Sequence, residues 1–223
     1  MRDKIIIFGA GKISEVISTY LMLEDIFEIS AYVVDSEFKK SEKFFGKPLI
    51  STEDAIKTYS PTKYKCFIAL GYQNNNSLRR EKYDFFKKRG YKFVSYIDKK
   101  IKIDLEIGEN VFLMDNAIIH PKVKIGNNVF IWGGAMVGHH SNLEDNCWIT
   151  GGAMIGGSSV IGNSSFLGMG TTVGHEVIIG KNCFLGANIL VSKNLSDDSV
   201  IIQSDTDILR LNTNQFLKIT KLK

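Results

Sequence analysis

From Ile101 through Ile107, Leu113 and Ile119 to Leu185 and Val191, every sixth residue is aliphatic, sixteen in succession, and the series stops at Asp197. With an aliphatic residue at roughly one position in three, such a run arises by chance less than about once in a million. Four residues after each stands a mostly small or branched side chain, as at Ala117, Ala135, Ser141, Cys147 and Ala153, and glycine often follows the aliphatic directly, as at Gly108, Gly126, Gly138 and Gly156. A period of six predicts one short strand and one corner per repeat, with three repeats closing a triangular coil of eighteen residues. The aliphatic side chains then point inward and stack coil on coil, small residues fill the crowded interior, and glycine supplies corner conformations. The period itself does not set the hand of the helix, and right-handed crossovers are the general rule. The expected body has five coils and one further side.

The first part of the chain obeys a different pattern. Apolar runs of β type lie at Lys4–Phe8, Ile29–Val34, Lys65–Leu70 and Lys92–Ile97. Ser14–Leu23 repeats its apolar residues every three to four positions, and Ser77–Arg89 reads as an amphipathic helix ending at Gly90. Alternating strands and helices predict a small parallel sheet with helices on its faces. The expected architecture is an α/β Rossmann-like domain over residues 1–98 followed by an all-β parallel β-helix over 99–223 that includes a C-terminal tail.

Composition narrows the class. The 223 residues are 44% hydrophobic and 23% charged, with a formal charge of +4, which fits a globular chain with a buried core. The lysines are scattered and no basic face with aromatic interleaving is found, so no nucleic-acid role is expected. No apolar run is long enough for a signal peptide or a membrane span, which gives a cytoplasmic expectation. Three cysteines without CxxC spacing predict neither disulfides nor a zinc cluster. Cys147 and Cys183 fall at small interior positions and Cys66 on a buried strand. Trp132 and Trp148 fall on outward-facing parts of the coils, where they meet either another subunit or a ligand.

The coil turns sequence spacing into spatial spacing. Residues eighteen apart stack about 4.8 Å from one another. His139 and His175 therefore share a column roughly 10 Å apart with Gly157 between them. His140 and Glu176 form the next column, around Ser158. A groove with a histidine at each level and a glycine floor suits a thioester and an attacking group; for any single exposed corner histidine the competing reading is plain solvation.

The whole chain resembles the nucleotide-amino-sugar N-acetyltransferases and sialic acid O-acetyltransferases of the PglD/NeuD type. The N-terminal resemblance rests on IIIFGAGKISEVI, YVVDS and ALGYQNNNSLRREKYDFFKKRGYKFVSYID, and the C-terminal one on the hexads, AMVGHHSNL and VIIGKNCFLGANILVSKNL. The resemblance implies a left-handed β-helix, a homotrimer and bacterial surface-glycan synthesis. It implies acyl transfer from acetyl-CoA, or another acyl-CoA, to the amine of a nucleotide-linked amino sugar, without a metal. It assigns the general base to His139, with His140 beside it. The backbone N–H of Gly157 is the candidate oxyanion donor. Coenzyme A is expected between neighbouring subunits near Gly157, His175, Gly186 and Ala187. Three departures stand out: His140 occupies a position that is commonly acidic in these enzymes, the one His-Glu pair of the sequence is His175–Glu176, which competes with His139 for the role of base, and the chain ends without their Gly-x-Pro-Ala-Lys segment.

In the N-terminal half, Gly9 and Gly11 let a phosphate approach the backbone at a helix N-terminus, and Asp35 ends the second strand. Taken alone this is a dinucleotide fingerprint, but the third glycine is Ser14 and a second half-fold is missing. The resemblance instead places a sugar nucleotide against Gly9, Gly11, Lys12, Asp35, Gly71 and Asn74. Competing readings are O-acylation of a sugar hydroxyl, a histidine-ligated metal enzyme on the same prism, and a non-catalytic nucleotide-sugar-binding scaffold. For the metal enzyme, the expected third ligand is replaced by Gly180.

Overall fold

The computed structural model describes residues 2–23, 25, 27–101 and 106–220. Its N-terminal unit contains β1 (Asp3–Phe8), α1 (Lys12–Leu23), β2 (Phe27–Val34), β3 (Lys43–Phe44), β4 (Lys47–Ser51), α2 (Thr52–Thr58), β5 (Lys65–Ile68) and α3 (Ser77–Lys87). The sheet order is β3-β4-β2-β1-β5. All pairings are parallel except the β3–β4 hairpin. Ile5, Ile6, Ile7 and Phe8 are all buried, as expected of a central strand covered on both faces. Their alternation divides two cores. Ile6 and Phe8 pack with Tyr83 and Phe86 of α3, whereas Ile5 and Ile7 pack with α1 and with aromatic residues of the C-terminal unit.

Two local features differ from the sequence reading. The segment between β2 and β5 holds a hairpin and a helix that were not expected. Phe45 and Gly46, both at positive φ, make its two-residue turn, and Pro48, the second residue of β4, shortens the apolar signal to Leu49–Ile50. The run expected at Lys92–Ile97 is split. Phe93 bridges Cys66 at the edge of the sheet, while Tyr96–Ile97 pairs with Phe112–Leu113 of the prism.

The C-terminal unit is a three-sided prism of stacked two-residue strands. Its faces carry five, seven and five strands, all paired in parallel. The first face begins at Glu106–Ile107, the second at Tyr96–Ile97 and the third at Ile118–Ile119. Neighbours in each stack are eighteen residues apart through the body, as in Phe130 opposite Trp148 and Met136 opposite Met154. The aliphatic series lines the interior with Ala135, Ala153, Cys147 and Cys183. The last coil is shorter than the period. Leu195 bridges Ile179 and Val200–Ile201 pairs with Phe184–Leu185, both sixteen residues on, so the core continues past Asp197 through Leu195 and Ile201.

The glycines after the aliphatic positions serve close approach, not unusual φ. A Cβ on Gly138 would lie 2.5 Å from the backbone nitrogen of Gly157 in the next coil, and one on Gly156 would meet His175 N at 2.6 Å. Positive φ falls elsewhere at the corners, mainly on asparagines such as Asn110, Asn128 and Asn146, and also on His140 (φ 61) and Glu176 (φ 59). Asparagine tolerates that region best among residues with a Cβ.

The second face is the one covered by the N-terminal unit. Its outward positions form a ladder, Tyr96, Phe112, Phe130, Trp148, Phe166 and Phe184, and all but the partly buried Phe184 are sealed inside. Fully buried Arg79 of α3 clamps the two units. Its guanidinium donates to the carbonyls of Asn128, Asn146, Cys147 and Gly71 and lies 4.6 Å from the centre of the Phe130 ring. An asparagine ladder, Asn110 to Asn128 to Asn146, runs beside it. Burial pushes the Arg79 pKa down to about 9, which leaves the group charged at neutral pH.

Candidate functional site

Two regions of the fold gather the residues singled out by sequence. The first is the corner between the third and first faces. Backbone bonds fix its stack: His140 N–H donates to Pro121 O, Ser158 N–H to His139 O and Glu176 N–H to Gly157 O. His139, Gly157 and His175 therefore form one column. The His139 ring lies over the glycine, with Cε1 and Nε2 at 2.8 and 2.9 Å from where a Gly157 Cβ would stand. The His139 and His175 rings are 6.0 Å apart. His139 Nδ1 is 3.1 Å from His140 Nδ1, and His175 Nε2 is 3.3 Å from Glu176 Oε1. All three imidazoles are exposed and Gly157 is buried. Among the described residues the Gly157 N–H has no recorded acceptor.

The second region is at the C-terminal ends of β1 and β2, where a cavity of about 360 Å³ is lined by Gly9, Asp35, Phe38, Lys40, Leu70, Leu78 and Lys82, among others. Gly9 (φ 124) is required there, because a Cβ would lie 2.6 Å from Ala69 O. Ser14, standing where a dinucleotide fingerprint has glycine, is buried and donates to Gly9 O at 2.9 Å. Gly11 and Lys12, at the start of α1, are exposed and are not among the residues lining the cavity. The Asp35 carboxylate is held by Lys82 at 2.7 Å and by the Thr52 hydroxyl at 2.9 Å. Gly71 and Asn74 are not among the residues lining the cavity. Gly71 O accepts from Arg79, and the turn that holds Asn74 is tied to the prism through Asn75 to Asn182 and Asn76 to Ser164. Phe38, Lys40, Leu78 and Lys82 were not singled out by sequence. Leu78 and Lys82 are one helical turn apart on α3, a spacing that was legible, but nothing in the sequence showed that this row faces the cavity.

Between the two units runs a third concavity of about 620 Å³, lined by Ile13 and Tyr72 on one side and by Trp132, Trp148, Phe166, Phe184, Gly151 and Met169 among those on the prism. Ile13 and Tyr72 lie a few residues beyond Gly9 and Leu70, so the same two turns wall both cavities. Both tryptophans line this cleft within their own chain: Trp148 lies 5.5 Å from Tyr72 of the N-terminal unit, while Trp132 packs on Phe112 and Trp148 of the prism. Gly186 and Ala187 line this cleft. Gly157 and His175 stand on the opposite edge of the third face, so one chain does not bring these four residues together.

All three cysteines are buried and unpaired. Burial pushes the Cys66 thiol out of reach of ionisation and the Cys147 thiol up to about 12, which makes them packing residues. Among the described residues no group of three His, Cys, Asp or Glu side chains could hold a metal, and no helix is long and apolar enough to cross a membrane.

Comparison with known proteins is informative for both units. Residues 4–86 match the PglD N-terminal domain, and residues 104–139 and 158–188 match the bacterial transferase hexapeptide repeat. The chain carries a PglD-type N-terminal domain followed by bacterial transferase hexapeptide repeats. Among solved structures, the acetyltransferase domain of PglB from Neisseria gonorrhoeae, in complex with acetyl coenzyme A, is 21% identical with a TM-score of 0.79, over 90% of this chain and 96% of that one. A histidine-to-asparagine variant of perosamine N-acetyltransferase from Caulobacter crescentus, in complex with CoA and GDP-perosamine, is 24% identical with a TM-score of 0.80, over 88% and 92%. WeeI from Acinetobacter baumannii is 17% identical with a TM-score of 0.62, over 90% and 97%. Similarity at this level establishes a shared fold, a Rossmann-like sheet followed by a left-handed parallel β-helix. No curated protein matches the sequence.

Proposed function

We propose that this protein transfers an acyl group from a coenzyme A thioester to the amine of a nucleotide-linked amino sugar, with His139 as general base. The observation that carries the reading is the His139 column. An exposed imidazole is propped over a glycine floor on a prism whose other end of the third face is a glycine-lined cleft. Similar folds hold acetyl coenzyme A in PglB and both CoA and GDP-perosamine in perosamine N-acetyltransferase.

The amine nitrogen attacks the thioester carbonyl carbon, forming the amide bond as the carbon–sulfur bond breaks. His139 Nε2 accepts the amine proton and returns it to the departing thiolate, so sugar amine and acyl-CoA become amide and free thiol. Holding both substrates in one groove supplies the proximity that makes a covalent enzyme intermediate unnecessary. The Gly157 N–H, without another recorded acceptor, is the candidate donor to the developing oxyanion. The nucleotide is assigned to the cavity at Gly9 and Asp35, with Lys40 and Lys82 as the nearby cations for phosphate and Phe38 as an apolar wall. The sugar then crosses the Leu70–Tyr72 turn toward the prism.

Assembly into a homotrimer completes the site in this reading. Ile118, Met154 and Leu190 form an exposed apolar stripe on the third face, with Leu190 72% exposed, between the histidine corner and the glycine-lined cleft. Burial of that stripe against a second copy would bring His139 of one subunit toward the Gly186–Ala187 wall of another.

The test is mass spectrometry of nucleotide-linked amino sugars incubated with the full chain and acetyl-CoA. A sugar that gains one acetyl group on nitrogen supports the proposal. Acetyl found only on a sugar hydroxyl, or no transfer from any acyl-CoA, overturns it.

A further inference from the structure

The Nδ1 atoms of His139 and His140 face one another at 3.1 Å, with the two rings near perpendicular at 85°. Two imidazole nitrogens of the same kind can share only one hydrogen, so one ring donates and the other accepts. The left-handed backbone of His140 (φ 61) sets its ring against its predecessor. The nearest carboxylate of the corner, Glu176, is engaged with His175 Nε2. No other side chain among the described residues contacts His139 Nδ1 through a hydrogen bond.

We infer that His140 is a neutral hydrogen-bond acceptor that locks His139 in the Nδ1–H tautomer and so leaves His139 Nε2 bare to accept a proton. The direction of the bond follows from the role proposed for His139. With Nδ1 turned to His140, Nε2 is the ring nitrogen left for the amine proton, and the reverse bond would place a hydrogen on that atom and disable it. His140 then carries its own hydrogen on Nε2. When His139 becomes imidazolium, its Nδ1–H still points at the bare His140 nitrogen, which holds the charge without a carboxylate. A hydrogen on His140 Nδ1 would remove the acceptor and break the arrangement. The other groups facing this pair are His175 with Glu176 two coils on, and Lys122 one coil before His140. His140 is thus a positioning residue, and both the direction of its bond and its effect on turnover rest on the acyl-transfer reading.

The chain holds four histidines, His120, His139, His140 and His175, so long-range ¹⁵N–¹H correlation on the labelled full chain resolves each ring once single substitutions assign it. At neutral pH the expected pattern is Nδ1–H with bare Nε2 for His139, and the opposite for His140. In His140→Ala, His139 should revert to the Nε2–H form preferred by free imidazole, and kcat should fall about 10- to 100-fold with KM nearly unchanged. His140→Asn, which keeps a neutral acceptor, should recover most of the loss. His140→Asp should move the acid limb of kcat/KM to higher pH, because a negative neighbour favours the imidazolium. An Nε2–H tautomer of His139 in the native chain overturns the inference, as does His140→Ala with unchanged tautomer and kinetics. A native chain that shows the expected tautomers but transfers no acyl group upholds the pair and refutes the acyl-transfer reading.

Discussion

At the residue scale the decisive position is Gly157. Its backbone is not in the left-handed region, so alanine is conformationally allowed there. Its Cβ would nevertheless stand 2.8–2.9 Å from Cε1 and Nε2 of His139, closer than van der Waals contact permits. Because the colliding atoms are the end of an exposed side chain, the ring must swing away while the coil stays intact. Gly157→Ala is therefore expected to reduce kcat about tenfold or more, with thermal stability within about 1 kcal/mol of the native chain. Kinetics paired with thermal unfolding check this. Full activity would mean that the ring position over the glycine is not used in the reaction. The column itself was legible in the sequence, because residues eighteen apart must stack once the period is recognised. The contact between adjacent rings was not legible, since it depends on the left-handed φ at His140, and only the turn geometry of the corner reveals that.

At the element scale the second face explains how the two units hold together. Its outward positions are aromatic at every coil from Phe112 to Phe184, in register with a spacing of eighteen. That signal was present in the sequence but was masked by the stronger inward series one residue later. An aromatic ladder on one face alone marks the face that another unit covers. Arg79 secures this contact from the opposite side, with a buried charge compensated by four carbonyl oxygens and the Phe130 and Trp148 rings. Replacing it by methionine strips the carbonyls of Gly71, Asn128 and Asn146 of this donor, while Cys147 O keeps its bond from Phe130 N, and should cost about 3–5 kcal/mol. Chemical denaturation of Arg79→Met measures the effect, and a loss below about 1 kcal/mol would show that the carbonyls find other partners. The inner strands and corners of the prism followed from periodicity because each side chain obeys one rule. The β3–β4 hairpin and α2 escaped because their signals are short, and the sixteen-residue last coil escaped because it breaks the period that revealed the rest.

On the scale of the whole molecule, a nucleotide-sized cavity, an aromatic cleft and a histidine corner are laid along one side of the chain and its third face. The cavities share the Leu70–Tyr72 turn, but the histidine corner lies across the third face from the cleft, so the cofactor-side residues expected from sequence fall into two groups. Their separation follows from the triangular cross-section: Gly157 and His175 occupy one corner column, Gly186 and Ala187 another. Sequence spacing gave the position of each residue along the prism. It could not show which corners meet across copies, because that depends on the shape of the assembled surface. The cavity at the ends of β1 and β2 was legible at Gly9 and Asp35, where strand ends and turn chemistry leave a local signature. The contributions of Phe38, Lys40 and Lys82 depend on how the segment after β2 and α3 fold over the sheet.

The most direct test of the proposed function compares free-thiol release from acetyl-CoA by the native chain and by His139→Asn, each with a panel of nucleotide-linked amino sugars and each shown to have the same assembled mass. Turnover on one sugar by the native chain, reduced about 10²- to 10⁴-fold in the variant, is the expected result. Equal turnover in the two proteins would contradict the assignment of His139 as the base.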